Sequence, residues 1–541
     1  MTYRILAAAA ACWALALPAR GQDAPKGDAG LPATVAQLQP LGKVLADVKA
    51  VATALGGKKA AKEIDDQINE KLGDKGLSGI DLTRPVGAYQ VLKADIEDPA
   101  GVVVIPVTSD KEFLDLLKRH KVTATAAKDD ATLYELEPPE GVDTKGKDIR
   151  LRLVNGYAYV GINLDAADLK TAKLPAAAKL VIPGESALLV VRTYMQRVPK
   201  DVQKKAVESM DKVADQLKGM PLPPAFTAYM TDMMKVSKKY TQLQYDEGDT
   251  TTFKLNLDPK TLEAGFEYAL KPLAGTGMAK DIAARKPTTN QFGGLLTDAT
   301  AAGFVVQMPL FLPELRSGAE GLVKLGEEFG LEKTPEEFKP AAEAVLKGLA
   351  RTFKGGDFDL AGGLNGPTAD GKFALSLGVS FDDPSKVEAE LRKLHAAADK
   401  NVQNLIKLDV VKAGGTNIHK ANIGPFLPPE AQAVFGDEST MAIAFAPKGL
   451  YVTLGKDSVG LMKTALAAGP KPARVLDIGL NAKRMRQLAV ARGNDEMRAM
   501  FPDDAKDEFK SLVGIEVAGG AELTAKAVFN LKLVPKPPVD E

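Results

Sequence analysis

The chain has 541 residues, 70 of them basic and 70 acidic, with three histidines and one cysteine. That balance excludes the one-sided positive field on which a nucleic-acid binder or a polybasic membrane clamp depends. The apolar runs beyond the first twenty residues are short, such as 187–191 and 303–306, so no integral membrane segment is expected there, and the length suffices for two to four domains.

Residues 1–21 read as a signal peptide: Arg4, an apolar run from Ile5 to Leu17, and Ala19-Arg20-Gly21 as a small-x-small cleavage site before Gln22. Cys12 follows three alanines as a lipidated cysteine would, but the apolar run continues through Trp13 and Leu17, which favours cleavage at Gln22. The remaining chain would carry no cysteine, hence no disulfide, thiolate nucleophile or cysteine-bound metal, and would hold together by core packing alone. Loss of Arg4 and Arg20 leaves a net charge of about −2. The expected location is therefore outside the inner membrane, periplasmic or extracellular.

Residues 22–33 have the composition of a flexible leader. Leu41, Val44, Leu45, Val48, Val51 and Leu55 recur at helical spacing; Gly56-Gly57 breaks the helix, and Ile64, Ile68 and Leu72 continue a second one to a stop at Gly73. GIDLTRPVGAYQVL at 79–92 turns into a strand, and 102–120 reads as a strand followed by a helix that Ser109-Asp110 starts. Segments 133–136, 149–154 and 157–162 read as antiparallel strands, the last two joined by Asn155-Gly156, and 165–172 as a short helix. A strand at 187–191, helices at 199–217 and 223–238, and a hairpin of 240–245 with 251–257 follow.

Two passages read alike: LNLDPKTLEAGFEYAL at 255–270 and VSFDDPSKVEAELRKL at 379–394, each an alternating strand entering an Asp-Pro helix start. They are expected to superpose as strand-helix units, with Leu262 and Val387, and Phe266 and Leu391, buried at equivalent points; 102–120 reads as a looser third copy. The order of the first half returns from 301: a strand at 304–308, helices at 313–329 and 335–353, the second opened by a Thr334-Pro335-Glu336-Glu337 capping box, and strands 358–364 and 373–381 across Asp370-Gly371. A hairpin of 441–445 and 450–454 leads into a helix at 457–466; Tyr159-Val160 matches Tyr451-Val452, and Asp165 with Leu169 matches Asp457 with Leu461. A strand at 475–480, helices at 482–491 and 503–511, and a hairpin of 514–517 with 525–533 end the pattern. The expected organisation is an α+β fold of two pseudo-repeated lobes, mainly antiparallel sheets covered by helix pairs: an N-terminal lobe at 34–278, a linker over 279–294, a C-terminal lobe at 295–536 and a tail at 537–541.

Candidate chemistry is sparse. His120 and His395 end two equivalent helices, where an imidazolium would face the negative end of the helix dipole, and His419 lies alone on a strand. No spacing brings two histidine ligands together. GESAL at 184–188 lacks the second glycine of a nucleophile elbow, Ser209-Met210-Asp211-Lys212 has no partner motifs, and GKDSVG at 455–460 carries Asp457 where a phosphate loop needs a hydroxyl. Acidic groups at 246–249, 357–359 and 503–504 lack the calcium-loop ligand order and suit turns and helix starts, while Met230, Met233 and Met234 suit a packed helix face. No catalytic, cofactor-binding or metal-ligating residue is assigned, and no cofactor is expected.

GIDLTRPVGAY, the strand and FLDLL helix after it, and the NGYAYVGI hairpin together resemble uncharacterised secreted bacterial α+β repeat proteins; those motifs are turns and core positions, and the resemblance implies no site residue. The expected function is a non-enzymatic binding or scaffolding protein of the cell envelope, acting on an unknown envelope partner or an apolar ligand. A carrier of an apolar, lipid-like ligand and a carboxylate-dependent hydrolase are the alternatives.

Overall fold

The computed structural model describes residues 31–92, 100–139, 147–219, 224–285, 287–309 and 313–533. Residues 1–21, read as a signal peptide, most of the 22–33 stretch expected as a leader, and the expected 537–541 tail lie outside them. The fold is α+β with antiparallel sheets, divided between two compact units: Met1–Lys212 with Lys238–Arg285 and Gly519–Ala525, and Val213–Ser237 with Lys286–Ala518 and Lys526–Glu541. No helix of the described residues is long and apolar enough to cross a membrane.

The first unit contains β1 (Thr34–Leu38), β2 (Val86–Val91), β3 (Ala100–Pro106), β4 (Thr123–Ala127), β5 (Asp130–Glu137), β6 (Ile149–Val154), β7 (Tyr157–Ile162), β8 (Leu189–Tyr194), β9 (Gly248–Asp258) and β10 (Glu263–Pro272). Their pairings run β4-β5-β6-β7-β3-β2-β1-β8-β9-β10, all antiparallel. The apolar run of β3 is explained by burial on both sides: Val102 and Val104 pack with Tyr89, Tyr159, Leu164, Leu169 and Leu180, while Val103 packs with Ala36 and Ala88. Leu164, Leu169, Leu180 and Ile182 come from a covering segment of turns and short 3₁₀ helices, where a helix over 165–172 was expected. Two further helices belong here: α1 (Leu41–Leu72), kinked at Gly57 with φ +74°, and α2 (Asp110–Arg119), which covers the other sheet face with Phe113 and Leu116 against Leu151, Ala158 and Val160. Ser109 caps α2 by accepting from Glu112 N–H at 3.2 Å. β1 itself was not legible in the sequence.

The GIDLTRP stretch is a pin between loops. The Asp81 carboxylate accepts from the Thr83 N–H, the Thr83 hydroxyl and Arg84 Nε, and the Arg84 guanidinium donates to the carbonyls of Val107 and Gly156 while stacking on Tyr157. Asn155 and Gly156 take φ +52° and +72°, the two positive values a tight hairpin turn requires.

The second unit holds β11 (Thr289–Asn290), β12 (Thr300–Pro309), β13 (Asp357–Asn365), β14 (Ala374–Ser380), β15 (Ile406–Ala413), β16 (Thr416–Asn422), β17 (Thr440–Ala446), β18 (Gly449–Gly455), β19 (Lys471–Pro472), β20 (Leu476–Leu480) and β21 (Lys510–Ala518). Here the pairings run β15-β16-β17-β18-β14-β13-β12-β20-β21, again antiparallel, with β11 and β19 forming a separate ribbon. The boundary between the units falls inside the stretch expected as a linker, yet part of that stretch is core: Phe292 is 1% exposed and meets the Tyr451 ring edge-on at 5.1 Å. A Cβ on Gly378 or Gly449 would stand 2.4 Å or 2.7 Å from the Phe292 ring, so only glycine admits it.

Four expectations are corrected. Residues 263–272 are a strand, so 255–270 does not superpose on 379–394, and Phe266 is exposed although Leu262 is buried. The spacing Leu262-Phe266-Leu270 also fits the alternation Ala264-Phe266-Tyr268-Leu270. Asp258 decides between them by accepting from Lys260 and Thr261 N–H, and Leu262 at φ +57° reverses the chain into a hairpin. Residues 240–245 belong to a helix running Pro224–Glu247, not to a strand. The helix expected from 335 begins at Lys339, and 503–511 is not helical; the helix lies instead at Asp495–Ala499.

Two measurements check these contacts. Phe292→Ala should lower the stability of the second unit by about 3–5 kcal/mol in chemical denaturation. Asp81 is held down to about 2 by its bonds to Thr83 and Arg84, so its contribution to stability is complete above the usual carboxylate range and lost as pH falls from about 4 toward 2. Asp81→Asn should flatten that acid limb of the stability curve.

Candidate functional site

Two polar assemblies stand out, both within the second unit. The first forms around His419 on β16, 2% exposed and therefore neither a surface residue nor one left alone. A helix over Ser385–Ala397, α8 in chain order, presents Glu388 and Arg392 one turn apart on the same face. β15 adds Asp409, which sits in a bulge between Lys407 and Val411 at φ +55°. Asp409 N–H donates to His419 Nδ1 at 3.2 Å, so in the neutral ring the proton is on Nε2, which points at Glu388 Oε1 from 3.3 Å. Arg392 forks onto both acids, 2.5 Å from Glu388 Oε1 and 2.8 and 2.7 Å from the two Asp409 oxygens. The Arg392 guanidinium holds the Asp409 carboxyl below its ordinary range, and burial pushes His419 down.

Glu388, Asp409 and His419 each offer a ligand atom within 4.8 Å of the others. The donor set nevertheless does not fit a cation. Arg392 already supplies the positive charge between the carboxylates, and the one imidazole lone pair of the neutral ring is spent on the Asp409 N–H. A buried neutral histidine whose Nδ1 accepts from the Asp409 N–H and whose Nε2 stands near Glu388 without a hydrogen bond is a tie between α8, β15 and β16.

The second assembly is a groove of about 430 Å³, lined among others by Thr289, Gln291, Gln307, Arg351, Asp359, Ser380, Asp382 and Lys448. Its floor is a cross-strand row: Gln307 on β12 stands directly opposite Asp359 on β13, and Asp359 N–H donates to Ser380 Oγ at the end of β14 at 2.9 Å. The Gln291 N–H donates to Asp359 Oδ2 at 2.9 Å and its side-chain amide to Ser380 Oγ at 2.6 Å. Asn290, fully buried, anchors this segment by donating to the Val306 carbonyl and accepting from Phe292 N–H. Gln307 Nε2 donates to the Thr289 carbonyl, whereas Gln307 Oε1 is a buried acceptor without a protein partner. Arg351, from a helix over Lys339–Gly355, pairs with Asp382 at 2.9 Å on the rim. Neither histidine nor cysteine lines the groove.

The remaining candidates resolve into structure. His120 caps the C-terminus of α2, with burial lowering its pKa, and His395 in the last turn of α8 donates from Nε2 to the Ile406 carbonyl at 3.0 Å. Ser209 Oγ returns to the Ala206 carbonyl within its own helix, and Asp457 caps the helix over Ser458–Ala467 by accepting from Gly460 N–H at 2.9 Å. Glu247 accepts from Met278 N–H at 2.6 Å, Asp249 pairs with Lys271 at 2.9 Å, and Asp503 pairs with Arg486. Met230, Met233 and Met234 lie half-buried on one helix. The groove escaped sequence reasoning because its residues come from six separate segments; the signal available was Asn290-Gln291, polar residues without a turn to make, inside an assumed linker.

No family model matches the chain, and no curated relative does. A solved structure, crystal form IV of TP0453, is similar at 8% identity over 48% of this chain and 84% of that chain, with a TM-score of 0.21, a likeness that carries no argument.

Removal of the guanidinium tests the first assembly. In Arg392→Met the Asp409 carboxyl should titrate at a higher pH than in the wild type by carboxyl NMR, and the stability that Asp409 contributes above the carboxylate range, lost on acidification, should diminish with it.

Proposed function

We propose that the chain is an exported, non-enzymatic binding protein of the cell envelope that holds its ligand in the groove of the second unit. The groove carries this reading: it is concave, Gln307, Asp359 and Ser380 in its lining sit on paired strands, and Gln307 has a buried acceptor, Oε1, without a protein partner. Ser380 Oγ already accepts two hydrogen bonds with no histidine beside it, which supports binding over nucleophilic catalysis. The signal-like first 21 residues support export.

A pseudo-repeat of two lobes belongs to the same proposal. What supports it is the pairing order, β4-β5-β6-β7-β3-β2-β1-β8-β9 against β15-β16-β17-β18-β14-β13-β12-β20-β21, which correspond strand for strand in chain order once the ribbon strands β11 and β19 are set aside. On this alignment the counterpart of 374–397 is 100–119, the passage read as the looser copy. A second reading, contact with an apolar partner or ligand, is favoured by Phe253 and Phe266 on β9 and β10, exposed by 40% and 45% with ring centroids 5.9 Å apart.

Two experiments test the proposal. Intact-mass analysis of envelope material should give a chain beginning at Gln22; a retained Met1 or a lipidated Cys12 refutes that part. In a thermal-shift screen of polar envelope metabolites, a ligand should raise the melting temperature of the wild type, and Gln307→Ala should weaken it by about tenfold, the scale of one lost hydrogen bond in a dry site. A ligand indifferent to Gln307→Ala and to Lys448→Ala, or one that is turned over, overturns the groove reading.

A further inference from the structure

His419 is enclosed from three sides. α8 faces it with Glu388 and Arg392, β15 with Asp409, and β17 with the uncharged ring of Phe445, its centroid 5.8 Å away. The hydrogen bond from Asp409 N–H to His419 Nδ1 lies inside the β15 bulge, where a non-glycine residue takes a positive φ, a conformation that persists only where its surroundings hold it. β15 pairs with β16 alone among the described strands of its unit, so no second strand restrains this stretch, and the fork from Arg392 to the Asp409 carboxylate is its tie to α8.

We propose that the bond from Asp409 to His419 is an acid-sensitive clasp on the edge strand β15. Protonation of Nδ1 turns the acceptor into a second donor facing the Asp409 N–H, and two donors 3.2 Å apart cannot share a bond. Glu388 and Asp409 attract the new charge and Arg392 repels it, while burial opposes it most strongly. The bulge at 408–410 is released, with Asp409 leaving its positive φ, while the strand start stays tied: His395 donates to the Ile406 carbonyl, a bond that protonation leaves in place. Burial favours the neutral ring, so the folded state binds the proton less readily than the unfolded chain. The stability held here is complete above about pH 6.5 and is lost as pH falls through the lower folded value.

Hydrogen exchange of the full chain, read by mass spectrometry on peptides spanning 406–413 and corrected for intrinsic rates, tests this. Protection there should fall about tenfold or more between pH 7.5 and 5.0, with the β17 and β18 peptides unchanged. His419→Asn, whose side-chain oxygen accepts in place of Nδ1 without titrating, should keep protection at both pH values. Edge-strand protection indifferent to pH in the wild type, or the same acid loss in His419→Asn, overturns the clasp. Should that variant fail to fold, NMR titration of ¹³C-labelled histidine in the wild type decides: the His419 ring should titrate below pH 6.5 in step with the exchange change, and a ring titrating at or above 6.5 overturns it.

Discussion

A strand hydrogen-bonded along both edges and covered on both faces leaves the chain almost no freedom, and each unit offers an example. In the first it is β3, with β2 and β7 beside it, α2 and the 164–182 segment over its faces, and Val102 and Val104 each 1% exposed. In the second it is β14 between β13 and β18, where Gly378 lets the Phe292 ring approach closer than any side chain would allow. Register follows from this, because a one-residue slip in either strand would carry apolar side chains out of both covers at once.

The polar chemistry of the groove accordingly lies at the places where pairing ends. Asp359 and Gln307 stand near the ends of β13 and β12, Ser380 is the last residue of β14, and the Lys448 turn joins β17 to β18. There a side chain can be held by strands without being covered by them, which is how the groove combines rigidity with access. The His419 assembly is the complementary case: a histidine inside the sheet is tolerated because the Asp409 N–H satisfies Nδ1 of its neutral ring, while Arg392 lies between the two carboxylates.

Helical elements and tight turns were largely legible in the sequence. The Gly57 kink, the stop at Gly73, the Asn155-Gly156 turn, the Ser109 and Asp457 caps and the 385–397 helix each rest on local rules acting over four residues or fewer. Segment 255–270 was not legible, because Leu262, Phe266 and Leu270 satisfy a helical and an alternating period together. The arbiter is a turn at Asp258 whose reward is pairing with β9. Segment 240–245 failed for the related reason that a mixed polar and aromatic sequence takes the conformation of the helix that precedes it.

By itself the sequence determined the alternation of strands and helices, the caps and turns, and a charge balance without cysteine chemistry beyond residue 12, since these depend on neighbours along the chain. Only the tertiary structure decided that β1 lies between β2 and β8, that Phe292 fills the space over Gly378 and Gly449, and that His419 meets Glu388, Arg392 and Asp409. Those contacts join residues ten to more than a hundred and fifty positions apart, and what selects them is the shape and hydrogen-bonding capacity of surfaces that exist only once the sheets have formed.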